Sequence, residues 1–161
     1  MIKIGNAPCS WGVEFSDDPR NPSWRKVLAE NYQAGFTGIE LGPVGFMPED
    51  PRVLSEALDE YDQELIGGVV FRPFHDPNQW DFVLDGAART CKSLVAHSAE
   101  HLVLIDSISP RRASTAGRAE PRPRHLPGLV KHQGLRAHCR DLWHSAAPLY
   151  GARGGDGVHQ R

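Results

Sequence analysis

Seven side chains suited to acid–base work, hydrogen bonding or ring stacking fall at or just after four short apolar segments. Asn6 and Trp11 follow the first, Glu40 closes the second, Arg72, His75 and Asp76 follow the third, and Asp106 ends the fourth. Together they offer two kinds of chemistry. Carboxylates and an imidazole at one mouth can move a proton beside a carbonyl, and a Trp ring can stack on a flat or ring-shaped ligand. Each residue also has a plainer reading. Trp11 either walls a pocket or plugs the end of the sheet. Glu40, between Ile39 and Leu41, is expensive to bury alone, so it either faces a polar pocket or pairs with a cation such as Arg72. His75 is either a ligand contact or a solvated loop histidine, and Asp106 either a pocket acid or the cap of the turn into Ser107. Cys9 has no helix start or basic neighbour to activate it, which points to a buried, inert thiol.

The elements that must position these groups alternate regularly. The segment Asn6-Ala7-Pro8-Cys9-Ser10-Trp11-Gly12 reads as a tight loop after a first strand at Lys3–Gly5, with Pro8 and Gly12 fixing its course. Ser23 is a natural N-cap for a helix over Trp24–Ala34, and Gly35 stops it. Gly38–Leu41 is a second strand. Pro51 opens a second helix to about Asp62, with Val53, Leu54, Ala57, Leu58 and Tyr61 on its apolar side. Leu65–Phe71 is nearly all apolar, as a strand covered on both faces would be. A third helix runs from Trp80 to about Ala99, and His101–Ile105 is a fourth strand.

This order predicts an α/β fold with parallel strands and right-handed crossovers. The first loop reads APCSWGV where a dinucleotide-binding sheet would carry GxGxxG, so a partial (β/α)8 barrel of about four units is favoured over a doubly wound sheet. In such folds ligands sit beyond the carboxyl ends of the strands, where the seven residues gather.

The bulk numbers narrow the classes. The chain has 161 residues, 40% hydrophobic and 24% charged, with a net charge of −2. These values fit one soluble domain and give no electrostatic case for nucleic acid or membrane. Three cysteines without CxxC spacing argue against a disulfide framework, and no signal peptide or membrane-length apolar run is present. A cytoplasmic protein is the expectation.

The charge is unevenly spread. Residues 1–110 hold eight Lys or Arg against 17 Asp or Glu, a net of −9, whereas residues 111–161 hold ten against three, a net of +7. No Ile, Phe or Met occurs after residue 110. Two regions follow: 1–110 as a half barrel and 111–161 as an irregular, Arg/Pro-rich tail reading as disordered. Leu135–Leu142 is at best a short helix. His125, His132, His138 and His144, with Cys139, have spacings that match no compact zinc ligand pair.

IKIGNAPCSWG, AGFTGIELGPVGFMPED and HLVLIDS resemble the N-terminal half of the sugar phosphate isomerase/epimerase superfamily, over about residues 2–110. The resemblance implies a xylose-isomerase-like barrel related to inosose dehydratase, hydroxypyruvate isomerase and ketose 3-epimerases. It implies a ketose, inosose or polyol substrate, and a divalent Mn, Mg or Co ion assisting proton transfer beside a carbonyl. Trp11, Glu40, His75 and Asp106 carry over as substrate-pocket positions. The family's later His-x-His, Asp-Thr-Gly-His and final Glu segments are absent, so no residue is carried over as a metal ligand and the chain is expected to bind no metal. A truncated member, inactive alone, is the leading expectation; a non-catalytic carbohydrate-binding or regulatory module is the alternative. The tail has the composition of a GC-rich gene read out of frame, and re-reading the other frames should then restore the missing segments. A half barrel also exposes two sheet edges, through which self-association is expected.

Overall fold

The computed structural model of the chain describes residues 4–114 and Asp141. Four strands, β1 (Gly5–Asn6), β2 (Gly38–Glu40), β3 (Glu64–Arg72) and β4 (His101–Asp106), alternate with α1 (Trp24–Gln33), α2 (Pro51–Glu60) and α3 (Trp80–Ala96). A short helix, α4 (Pro110–Ser114), follows, so helix crosses the 110/111 boundary drawn from composition. His125, His132, His138, His144 and Cys139, the rest of the Arg/Pro-rich tail after Ser114 and, apart from Asp141, the expected short Leu135–Leu142 helix lie outside the described residues.

The strands form one sheet in the order β1-β2-β3-β4, every neighbouring pair parallel. A doubly wound sheet reverses its order at a switch point and takes helices on both faces; this order has no reversal. Val27 and Leu28 of α1, Leu54, Ala57 and Leu58 of α2 and Leu94 of α3 share one buried cluster with Ile39, Leu41 and Leu65. All three helices therefore lie on one side of the sheet. A second cluster packs Val70 and Phe74 against Val83 and Ala87 of α3.

Local chemistry sets the elements. The Ser23 hydroxyl accepts from the Lys26 amide and starts α1; Asp50 accepts from the Arg52 and Val53 amides and starts α2 ahead of Pro51. One buried polar link ties α1 to the sheet. Asn31, fully buried, donates to the Gly38 carbonyl at 3.1 Å and to Gln63 Oε1 at 3.3 Å, while Gln63 donates to the Leu28 carbonyl at 3.2 Å. Asn31→Ala should lower stability by about 2–3 kcal/mol, because it strands the Gln63 oxygen and the Gly38 carbonyl away from water. Urea denaturation checks this; a loss within about 0.5 kcal/mol, the range of an innocuous surface change, would mean the link carries little.

The face turned away from the helices is less filled. A Cβ at Gly5 would stand 2.2 Å from Ile66 Cδ1, and one at Gly38 2.6 Å from Ile66 Cγ2, so Ile66 lies across two strands that offer it only glycine. A bulge lets it do so. Ile39 pairs with Leu65 but Glu40 pairs with Gly67, leaving Ile66 as the extra residue. Ile66, Val69 and Phe71 remain half-buried, which corrects the expectation that the third strand is covered on both faces. Among the described residues β4 is an edge strand, with Val103, Leu104 and Ile105 exposed. Among the described residues no helix is long and apolar enough to cross a membrane.

Candidate functional site

Parallel pairing brings the carboxyl ends of all four strands to one edge of the sheet, and the loops that leave it are tightly held. Pro8–Trp11 forms a single 3-10 turn, closed by Gly12 in the left-handed region at φ 77°, whose amide donates to the Cys9 carbonyl. Gly42, at φ +70°, follows β2 and lies against the Pro8 ring, where a Cβ would come within 2.8 Å. The first two exit loops are thus in direct contact through these residues. Pro8 takes the buried place in its turn and leaves Cys9 exposed, which corrects the reading of Cys9 as a buried thiol; among the described residues the buried free thiol is Cys91.

Beyond β3 and β4 the structure joins two residues 31 positions apart. His75 Nδ1 lies 2.8 Å from Asp106 Oδ1, and the His75 amide donates to the same oxygen at 3.3 Å. The register that permits this pairs Arg72 with Asp106 on the last rung, and the Ser107 amide donates to the Arg72 carbonyl at 3.0 Å. A carboxylate only accepts, so the hydrogen bond puts the imidazole proton on Nδ1 and leaves the Nε2 lone pair free to act as a base. Both side chains are partly exposed, 39% for His75 and 30% for Asp106, so a ligand can reach them.

Glu40 is placed differently. Its Cγ lies 3.9 Å from where a Gly67 Cβ would stand, on the face away from the helices. It is partly buried, and among the described residues no hydrogen bond or ion pair engages it. Arg72 is not its partner. That guanidinium lies on the helix side, 4.2 Å over the Phe82 ring, with Nε 3.4 Å from where a Gly86 Cβ would be. Burial, and after it the nearby Arg89 charge, lowers its pKa. Arg89 itself is held by Glu49 and Asp85, and its pKa is raised mainly by the hydrogen bond to Glu49. Arg72 and Glu40 therefore form no ion pair with each other.

Trp11 is pinned by α1. Its Nε1 donates to Glu30 Oε2 at 2.6 Å, and its ring packs on the main core while lining a shallow concavity of about 440 Å³ with Phe15, Asp18, Arg20 and Asn21. There the two-pronged hydrogen bonds from Arg20 hold the Asp18 carboxyl down at about 2. Trp11→Phe keeps an aromatic ring on the core but removes its hydrogen bond to the Glu30 carboxylate; we expect a stability loss of about 1–2 kcal/mol, read by thermal or urea unfolding, with the fold unchanged. A loss no larger than the few tenths of a kcal/mol typical of a surface substitution would contradict this hydrogen bond.

Two other candidates are spent on local structure. Asn6 accepts from the Ala7 amide and the Ser10 hydroxyl, and Asp76 caps the turn Pro77–Gln79 through the Asn78 amide. A groove of about 490 Å³ at the opposite end of β3, between α2 and the end of α3, was not indicated by the sequence. It is lined by Arg52, Asp59, Glu64 and His97 among others, and lies at the end of the sheet where residues serve stability in barrel folds.

Among the described residues no three His, Cys, Asp or Glu side chains converge as a metal-ion ligand set. The dyad offers two such groups, with His75 Nδ1 against Asp106 Oδ1. The described residues alone therefore do not make up the ligand set of the divalent ion that the resemblance implies. No protein-family model matches the chain, and no curated protein is significantly similar to it.

Proposed function

We propose that this chain is a β/α half barrel of sugar isomerase/epimerase type that binds a ketose, inosose or related polyol at the carboxyl ends of its strands. The observation that carries the reading is the His75–Asp106 dyad, an oriented base at the rim where ligands of parallel β/α folds sit. Order and sidedness support the barrel: four parallel strands in sequence order, helices on one face, and inner glycines beneath Ile66.

In this reading His75 Nε2 takes a hydrogen bond from a substrate hydroxyl, and Asp106 holds the ring in the tautomer that leaves Nε2 as the acceptor. Glu40, without a partner among the described residues, accepts hydrogen bonds from further hydroxyls. The chain alone is a binder with little or no turnover, because the described residues supply half the strands of a barrel and no metal ligand set.

Thermal unfolding of the full chain with D-fructose and with myo-inositol tests this, alongside an assay for ketose epimerisation with added Mn²⁺. The expected result is a ligand-dependent rise in Tm without turnover. Robust turnover would overthrow the half-barrel limit, and no stabilisation by either compound would remove the sugar-binding reading.

A further inference from the structure

We propose that two copies of this chain close a single eight-stranded parallel barrel, β4 of each copy pairing with β1 of the other. The proposal rests on the sheet and is independent of the ligand reading above.

Three features fit a second copy. First, the two edges match in direction. In an all-parallel sheet β1 and β4 run the same way, so a twofold rotation about an axis along the strands lays β4 of one copy parallel to β1 of its partner twice over. A contact between unlike edges closes into a ring only if the rotation fits, and four strands per copy give the eight of the common β/α barrel. Second, the surfaces that closure would cover are apolar. Val103 and Ile105 on the edge strand are each 43% exposed, and Ile4 beside β1 is 59% exposed. Phe15 is 52% exposed where its ring meets Phe71, at 6.1 Å between centroids, on the thinly filled face. In a closed barrel that face is the packed interior.

Third, charge and the length of remaining chain favour a copy over the chain's own continuation. The 47 residues after Ser114 contain no Ile, Phe or Met, so they bring few of the side chains that would complete such an interior. They leave from α4, directly after the β4 edge, and residues 111–161 carry +7 against −9 on residues 1–110. The two opposite charges leave a whole-chain charge of −2, which opposes the association of two copies little.

Sedimentation equilibrium on the full chain tests the proposal, with Ile105→Lys and Ile4→Lys as seam variants and Tyr32→Lys on the outer side of α1 as a control. Ile105 and Ile4 are exposed in the single chain, so a lysine there leaves its fold intact, as circular dichroism would verify. The wild type and Tyr32→Lys should have twice the 17.8 kDa chain mass, and either seam variant should fall to one chain mass. A monomeric wild type would overturn the proposal. So would an open series of larger masses, which means edges that join without closing, or seam variants that stay dimeric.

Discussion

Leu28→Ala should destabilise the chain by about 3–5 kcal/mol, the upper part of the range for emptying a buried leucine site. Leu28 is fully buried and sits where α1 meets the sheet, in the cluster that also holds Leu54 and Ile39. The cavity left behind would resist collapse. Its walls are fixed by the Asn31–Gln63 link, and Gln63 donates to the Leu28 carbonyl itself. The consequence for the whole chain is large. A domain of this size has about 5–15 kcal/mol in total, and here one sheet face and one edge strand contribute little because they are half-covered. Urea denaturation should give an unchanged slope with a much lower midpoint. A loss under about 1 kcal/mol would mean the helices do not share one core.

Asp106→Asn should weaken polyol binding by about tenfold to a hundredfold while leaving the fold in place. The carboxylate accepts from both the His75 amide and the His75 ring. An asparagine can satisfy the amide through its oxygen, but its NH₂ group can also hold the ring in the other tautomer, with the proton on the wrong nitrogen. His75→Ala removes the base outright and should weaken binding at least as much. The comparison separates positioning from contact. If Asp106 acts only through His75, adding Asp106→Asn to His75→Ala should change nothing further in a calorimetric titration with D-fructose. Additive losses would instead put Asp106 against the ligand directly.

Much of the fold is legible because each element announces itself locally. Ser23 and Asp50 are caps recognisable by type, Pro51 marks a first turn, and the apolar runs of β3 and β4 are unbroken. Helix ends are less visible. Each of the three long helices stops in the same arrangement, with the amide two residues past the cap donating five residues back: Phe36 to Asn31, Gln63 to Leu58 and Ala99 to Leu94. The residue between takes positive φ each time. Gly35 advertises it, whereas Asp62 at φ 49° and Ser98 at φ 56° do not. Reading those two as helix carries α2 to Asp62 and α3 to Ala99, although they end at Glu60 and Ala96.

The site divides along the same line. That His75 and Asp106 lie near strand ends follows from the alternation; that they bond to each other depends on the β3–β4 register, which no local pattern encodes. The face on which Glu40 stands follows from alternation, opposite the buried Ile39 and Leu41, but that Gly67 lies beside it depends on the bulge at Ile66, which no local pattern encodes. The Trp11–Glu30 hydrogen bond, 19 positions apart, needs α1 to be docked before the two groups can meet.

A polyol site at the carboxyl ends of these strands is the central proposal. The most direct measurement is a two-dimensional ¹H–¹⁵N spectrum of the full chain titrated with myo-inositol. Shifts should concentrate on the amides of Glu40 and Leu41, of Phe74 to Asp76, and of Asp106 and Ser107. A titration to the solubility limit that moves none of them, or moves only the groove around Arg52, Asp59 and His97 at the other end of the sheet, would contradict it.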